Sequence, residues 1–155
     1  MKKVKWGVLG AGGIADRRTL PGMMLADNAE LVAVMEVVPG LAPKLCEKYH
    51  AKRWYTDAES LLADPEVEAV VITSIDPTHH DYVMETLKYE KWCFCEKPLS
   101  LSGAECEEII AREQEIGKRL VQVGFMRHYD RGYAEMKRII DSGELGEVVS
   151  ISHQE

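Results

Sequence analysis

Short runs of β-branched and apolar residues alternate along the chain with longer amphipathic stretches. The runs that predict strands cover residues 4–10, 31–37, 52–55, 69–74, 92–95 and 120–125. Helical spacing predicts a helix from about Ile14, disturbed at Pro21, and further helices over 39–49, 57–62, 78–89 and 102–117. Strands that alternate with helices in this way are typical of a doubly wound, parallel α/β sheet.

Polar residues mark three of the predicted helix starts. Asp57 and Thr78 stand where helices begin, and a side-chain oxygen at that position accepts a hydrogen bond from an exposed backbone amide. Ser102 and Glu105 have the S-x-x-E spacing of a capping box. We therefore expect all three side-chain arrangements to cap their helices.

The pattern changes after Phe125. Asp130 is predicted to cap a helix that ends near Gly143, and Val148 to Ile151 predict the beginning of a strand without a partner downstream. The expected organisation is a domain over residues 1–124, followed over 125–155 by the first helix and strand of a truncated α/β second domain. The alternative is that this strand joins the existing sheet or pairs across a dimer interface.

Composition excludes some classes of partner. The 155 residues, 46% of them hydrophobic, suit one well-buried domain. The formal net charge is -7, and the chain lacks the excess of basic residues that is typical of nucleic-acid-binding proteins, which argues against nucleic acid as a partner. No apolar run approaches the length of a membrane span, and the start of the chain lacks a signal-peptide pattern. Four cysteines without C-x-x-C spacing predict buried, reduced thiols in a cytoplasmic protein and no metal, with a zinc site as the alternative.

A glycine-rich motif, Gly-Ala-Gly-Gly-Ile-Ala over residues 10–15, follows the first predicted strand. Its glycines permit a tight turn and a close approach of pyrophosphate to the amides of a helix terminus. Glu36, at the end of the second strand, is placed to accept hydrogen bonds from ribose hydroxyls. Without a Lys or Arg at 37–39, NAD is favoured over NADP, although Arg17 and Arg18 are cations on the first helix. The alternatives are a structural turn, a methyltransferase-type glycine loop, and a solvated strand end for Glu36.

Two further motifs follow the fourth and fifth strands. In the loop over 73–80, Ser74, a histidine or backbone groups are candidates to contact the cofactor, the alternative being that the histidines only form the first helical turn. The Glu-Lys-Pro sequence over 96–98 closes the fifth strand. Because parallel strands end at one edge of the sheet, Lys97 is expected to face the crevice that the glycine turn borders. The alternative is an ordinary solvent-exposed lysine.

Together these motifs resemble the Gfo/Idh/MocA oxidoreductase family, named for glucose-fructose oxidoreductase and inositol dehydrogenase. The resemblance covers the whole chain, and the stretch over 117–133 is most similar to inositol 2-dehydrogenases. It implies a Rossmann-type NAD-binding domain and a second α/β domain that carries substrate residues and often the oligomer interface. The expected activity is NAD-dependent transfer of hydride from a secondary alcohol of an inositol-like polyol or sugar, in a homo-oligomer when full length.

The resemblance also implies roles for individual residues. Lys97 matches a catalytic position that contacts substrate and nicotinamide ribose, and Met126 and Arg127 match positions near the substrate, with an interdomain salt bridge as the alternative for Arg127. The groups that complete proton transfer are expected beyond Glu155. A non-catalytic nucleotide-binding or assembly module, or a different sugar-active member of the family, is the alternative function. The predicted cofactor contacts are Gly10, Gly12, Gly13, Ile14, Glu36, Ser74, Pro77, His79, Glu96 and Lys97.

Overall fold

Six parallel strands form the centre of the protein in a computed structural model that describes residues 2–153. The order across the sheet is β3-β2-β1-β4-β5-β6. Because β1 pairs with both β2 and β4, the winding direction reverses between β1 and β4, and a crevice opens at their carboxyl ends. The predicted doubly wound parallel sheet is confirmed. The strands are β1 Val4–Leu9, β2 Ala29–Met35, β3 Arg53–Tyr55, β4 Ala69–Ile72, β5 Trp92–Glu96 and β6 Val121–Gly124.

Helices connect successive strands of this sheet. The first connection contains a π-helical turn, Ala15–Thr19, directly before the short helix α1, Leu20–Met24. Pro21 lies in the first turn of α1, where its missing N–H is tolerated, so the disturbance predicted at this proline takes the form of the wide turn before it. The other helices are α2 Leu41–Lys48, α3 Ala58–Ala63, α4 His79–Lys88 and α5 Gly103–Ile116.

The core lies in two layers, one on each face of the sheet. Adjacent residues of one strand serve opposite layers: Val8 packs with residues of α1 and α2, whereas Leu9 packs with residues of α3, α4 and α5. Both side chains are fully buried, as are those of β4 on its two faces. Burial on both faces explains why these strands are continuous apolar runs in the sequence. It also fixes the positions at which the strands end, and those ends carry the candidate site.

Two of the predicted caps are wrong, and local competition explains why. Asp57 does cap α3, accepting from Ser60 N at 2.7 Å. A 3-10 turn, Asp76–Thr78, precedes α4, and the Thr78 hydroxyl is turned back to the Ile75 carbonyl at 2.8 Å, away from the helix amides. At the start of α5, the Ser102 side chain makes no cap, because the Ser100 hydroxyl bonds to Glu105 and accepts from Ser102 N at 2.9 Å.

A charged cluster lies beside β3. The Glu66 carboxylate forms ion pairs with Arg53, with Lys5 at 3.0 Å and with Lys52 at 3.1 Å. The Arg53 guanidinium, more than the two lysines, lowers the pKa of Glu66 to about 2. The cluster therefore stabilises the fold only while Glu66 is ionised.

The chain divides into two compact units, Met1–Gly124 and Phe125–Glu155. In the second unit, a 3-10 turn, Met126–Tyr129, precedes helix α6, Arg131–Ser142, and Asp130 caps α6 as predicted, accepting from Gly132 N at 2.8 Å. The strand predicted at 148–151 is wrong, because residues 148–153 are irregular. An extended segment needs a neighbour for its backbone groups, and no described strand pairs with this one. None of the helices within residues 2–153 has the length and apolar character to cross a bilayer.

Candidate functional site

The turn after β1 is held by hydrogen bonds from two neighbouring strands. The amides of Gly10 and Ala11 both donate to Met35 O, at 3.1 and 3.2 Å, and the buried Thr73 hydroxyl donates to Gly10 O at 2.7 Å. Gly10 has φ +89°, and a Cβ there would lie 2.4 Å from Ser74 Cα. Only glycine fits this backbone and this approach, which explains the first residue of the motif.

Within the rest of the glycine motif, Gly12 is open, whereas Arg17 lies against Gly13, its Nη2 2.8 Å from where a Cβ on Gly13 would be. A Cβ on Gly12 would meet no atom within 4 Å, and the neighbouring Gly13 and Ile14 are exposed at the beginning of the helical segment. Arg17 folds back, its Nε donating to Gly13 O at 3.1 Å. Unblocked amides at a helix terminus are the arrangement that accepts a phosphate group.

Glu36 follows β2 at the same edge of the sheet. Its side chain is largely buried, and its Oε1 accepts from Val38 N at 3.1 Å. Within residues 2–153, Glu36 forms no ion pair, so no protein cation neutralises its charge. A buried carboxylate with spare acceptor capacity suits a pair of vicinal hydroxyls and opposes a phosphate.

These elements enclose a cavity of about 340 Å³. Six of the predicted residues line it: Gly10, Gly12, Gly13, Ile14, Glu36 and Ser74. Four do not, namely Pro77, His79, Glu96 and Lys97. The open glycine backbone at one side and the unpaired carboxylate at the other fit the pyrophosphate and ribose of a dinucleotide, so the residues present suit NAD.

The sequence did not indicate several residues that also line the cavity. They are Met35, Val37, Val38, Thr73, Ile75, Thr78 and Tyr82. Tyr82 is the informative case: burial, and secondarily the Glu36 charge, raise the pKa of its phenol. Thr78 and Tyr82 are four residues apart, which places them on one helical face. Once Thr78 is known to border the site, this spacing predicts that Tyr82 borders it too.

The Glu-Lys-Pro segment stands on the next strand of the same edge. Ile72 of β4 pairs with Cys95 of β5, so Ser74 and Lys97 each follow two residues after that pair. Lys97 is exposed, and its ammonium has no hydrogen bond or ion pair with the residues described here. A free ammonium beside the strand that borders the cavity is able to act on a neighbouring oxygen.

His79 lies beneath these loops and is 1% exposed. Its Nδ1 is 2.6 Å from Pro98 O and its Nε2 is 3.2 Å from Ser74 O. The prediction placed His79 on the cofactor, whereas the structure turns its ring toward the protein interior. The reason is its position at the first residue of α4, where the side chain points back under the preceding loop.

Met126 and Arg127 belong to the second unit. Met126 is exposed, and the Arg127 guanidinium lies 5.3 Å from the centroid of the Tyr133 ring and 3.7 Å from the Asp130 carboxylate. A role for either residue in substrate binding stays a prediction.

Other chemistry is less well supported by the described residues. A larger cavity, about 480 Å³, lies against Trp6, Trp92 and Phe94, and it carries Arg119 but no acidic group for a ribose. Burial raises the pKa of Cys95 to about 12, so this thiol stays protonated. Within residues 2–153, no group of three His, Cys, Asp or Glu side chains is arranged to hold a metal ion.

Comparison with known proteins agrees with this geometry. Residues 4–125 match the model of an oxidoreductase family described as having an NAD-binding Rossmann fold. Inositol 2-dehydrogenase of Salmonella typhimurium is 40% identical over 149 residues, which are 96% of this chain and 44% of the relative. An inositol 2-dehydrogenase/D-chiro-inositol 3-dehydrogenase of Lactiplantibacillus plantarum is 40% identical over 92% of this chain and 41% of its own.

Solved structures show the same likeness. The myo-inositol dehydrogenase of Lactobacillus casei, in complex with NAD(H) and myo-inositol, superimposes with a TM-score of 0.88 at 33% identity, covering 93% of this chain and 43% of that one. A probable dehydrogenase of Thermotoga maritima gives 0.84 at 31% identity, covering 92% and 42%. The chain thus spans less than half the length of the relatives it matches.

Proposed function

Because the chain belongs to the Gfo/Idh/MocA oxidoreductase family, whose Rossmann domain binds NAD, we propose that it serves an NAD-dependent dehydrogenase of an inositol-like polyol or sugar. The observation that carries the proposal is the cavity that joins the glycine turn to the largely buried Glu36 carboxylate, which forms no ion pair within residues 2–153. The substrate class rests on the relatives, which are named as inositol dehydrogenases.

Different residues of the cavity are proposed to bind different parts of the cofactor. The amides near Gly12 and Gly13 would hold the pyrophosphate, and Glu36 would accept from the adenosine ribose. Because Val37, Val38 and Pro39 follow Glu36, no cation is available there for a 2'-phosphate. The Arg17 guanidinium lies at the glycine turn, where its Nε donates to Gly13 O at 3.1 Å. We therefore propose NAD rather than NADP as the working cofactor.

Lys97 is the proposed catalytic residue of this chain. When bound, NAD accepts the hydride that leaves the carbinol carbon. The Lys97 ammonium would stabilise negative charge on the alcohol oxygen as its proton leaves. It is available for that contact because no partner for it lies among residues 2–153. Glu96, at the end of β5, is proposed to contact the cofactor.

The proposal extends to residues and assembly outside the cavity. Met126 and Arg127 are proposed to contact the substrate. A homo-oligomer is proposed for the complete gene product, and so is a cytoplasmic location, because Cys93 and Cys95 are free thiols. Size exclusion chromatography with light scattering measures the assembly directly, and a monomer would refute that part of the proposal.

Turnover of the complete gene product tests the activity. Myo-inositol, scyllo-inositol, D-chiro-inositol and glucose are each supplied with NAD or NADP, and NADH or NADPH absorbance is followed. We expect at least one inositol to be oxidised, with kcat/KM about 10-fold or more higher for NAD than for NADP. Binding of NAD by calorimetry without oxidation of any polyol would favour a non-catalytic binding module instead.

A Lys97→Ala variant tests the catalytic assignment. A positioned acid-base or charge-stabilising side chain contributes about 100-fold or more to turnover. We expect kcat to fall by that factor, while the Kd for NAD changes by less than about threefold, because Lys97 does not line the cavity. Equal losses in both quantities would make Lys97 a cofactor clamp.

A further inference from the structure

His79 joins the two loops that carry the candidate site. Its ring is 1% exposed and faces two backbone carbonyl oxygens, those of Ser74 after β4 and Pro98 after β5. Ser74 lines the cofactor cavity, and Pro98 directly follows Lys97. One side chain thus lies between the wall of the cavity and the segment that bears the ammonium.

The two contacts of the imidazole differ in strength. A neutral imidazole carries one N–H, and the shorter separation, 2.6 Å from Nδ1 to Pro98 O, assigns that proton to Nδ1. The contact from Nε2 to Ser74 O is longer, at 3.2 Å. Since the ring is buried, loss of the Nδ1 bond would leave a donor and a carbonyl without compensation from water. With its proton on Nδ1, the ring donates a hydrogen bond to Pro98 O and none to Ser74 O, because Nε2 is then an acceptor that faces a second acceptor.

The position of Lys97 depends on that bond. On its amino side, Lys97 is held by β5, because Glu96 pairs with Gly124 of β6. On its carboxyl side, the ring of Pro98 fixes one backbone dihedral, and the Pro98 carbonyl is held by His79. The Lys97 side chain has no partner among residues 2–153. The position from which it extends toward the cavity is therefore set by its backbone.

We propose that His79 is a positioning residue that sets the place of Lys97 relative to the cofactor cavity, an inference that rests on the proposed function. A misplacement of about 1 Å at a reacting group lowers turnover by up to about 100-fold. His79 does not itself line the cavity, so its effect on turnover is transmitted through Pro98 to Lys97.

Two substitutions separate the contacts of His79 in the complete gene product. The amide nitrogen of asparagine reaches the place of Nδ1, so His79→Asn keeps the bond to Pro98 O. The glutamine amide reaches the place of Nε2, beside Ser74 O, so His79→Gln loses the bond to Pro98 O. We expect kcat within about threefold of the parent for His79→Asn and at least about 10-fold lower for His79→Gln. The Kd for NAD should change by less than about threefold in both.

His80→Gln is the matched control. His80 is the next residue of α4; its side chain is 16% exposed, with Nδ1 3.1 Å from Asp81 Oδ1 and Nε2 3.2 Å from Glu108 Oε2 of α5, away from Ser74 and Pro98. Its replacement should leave kcat within about twofold. A loss of turnover as large as that of His79→Gln would show that any change in the first turn of α4 suffices, and would overturn the proposal.

The Lys97→Ala background distinguishes positioning from a general structural role. If His79 acts through Lys97, His79→Gln should lower kcat by less than about twofold once Lys97 is alanine. An undiminished effect on that background overturns the positioning role while leaving the proposed function intact. Unchanged kcat in Lys97→Ala alone refutes the catalytic role of Lys97 and the positioning role of His79, whereas the dehydrogenase function fails only if no polyol is oxidised.

Crystal structures with NAD give a readout that does not depend on activity. We expect the Lys97 backbone to keep its place in His79→Asn and to shift by about 1 Å in His79→Gln. An unshifted Lys97 in His79→Gln overturns the proposal even if no polyol is oxidised. If His79→Gln does not fold, the test rests on His79→Asn, which keeps the bond to Pro98 O. A displaced Lys97 or a loss of turnover in that variant would also overturn the proposal.

Discussion

Alanine at Gly10 is expected to destabilise the protein, whereas alanine at Gly12 is not. At Gly10, φ is +89°, and a new Cβ would lie 2.4 Å from Ser74 Cα and 2.5 Å from Ser74 N. The left-handed backbone costs an alanine about 1–2 kcal/mol, and overpacking against backbone costs about 1–3 kcal/mol. The sum predicts a loss of about 2–5 kcal/mol in the free energy of unfolding.

Gly12→Ala provides the matched comparison. Its Cβ would meet nothing within 4 Å, so the free energy of unfolding should stay unchanged or rise by up to about 1 kcal/mol. The same methyl group would occupy space beside the helix amides, where the pyrophosphate is proposed to lie. The Kd for NAD should therefore rise by about 10-fold or more, although the fold is intact.

Thermal unfolding followed by tryptophan fluorescence, with calorimetry for NAD, measures both effects. A loss of 2–5 kcal/mol corresponds to a Tm lower by about 5–15 °C. Trp6, Trp54 and Trp92 all lie in strands of the sheet, so their emission reports on this domain. A Gly10→Ala protein as stable as its parent, or a Gly12→Ala protein that binds NAD normally, would refute the reasoning.

Three further predictions follow from single side chains. Glu36→Gln should shift the ratio of the Kd values for NAD and NADP toward NADP by about 10-fold, measured by calorimetry, because it removes the charge that opposes a 2'-phosphate. The pKa of Glu66 is lowered to about 2 from 4.5, chiefly by Arg53, so its stabilisation is complete above pH 4.5 and lost as the pH falls toward 2. Glu66→Gln, or added salt, should flatten the dependence of Tm on pH across that window. Thr73→Val should lower the free energy of unfolding by about 1–3 kcal/mol, seen in urea denaturation, since it leaves Gly10 O unpaired, and Thr73→Ser should lower it less.

The strands and their ends could be predicted from the sequence, because a strand that is buried on both faces is a continuous run of apolar residues. All six predicted strands of the sheet occur, with ends shifted by up to two residues. Parallel strands end at one edge, so knowing the ends of β1, β2 and β4 was enough to bring Gly10, Glu36 and Ser74 to one cavity. Their contact with NAD stays a prediction.

Side-chain direction was less accessible, because it depends on competition between near neighbours. The place of His79 in the loop predicts a cofactor contact, which stays a prediction, but does not reveal that its ring, at the first residue of α4, faces two carbonyl oxygens. Glu105 has the spacing for a capping box, but its carboxylate accepts a hydrogen bond from the Ser100 hydroxyl instead. The strand predicted at 148–151 failed for another reason: strand formation needs a partner, and no local pattern reveals whether one is present.

The wide turn at Ala15–Thr19 determines how the first helix tolerates changes in length. In a regular α-helix, residues five apart point about 140° away from each other. Ala15 and Leu20 are five apart, yet both are buried in one layer of the core, because Leu20 N bonds to Ala15 O across the wide turn. The turn therefore accommodates one residue more than an α-helical turn. Deleting a residue between them would restore α-helical spacing with both side chains still buried. The glycine turn, by contrast, is held by hydrogen bonds from both neighbouring strands and would not tolerate a deletion in the same way.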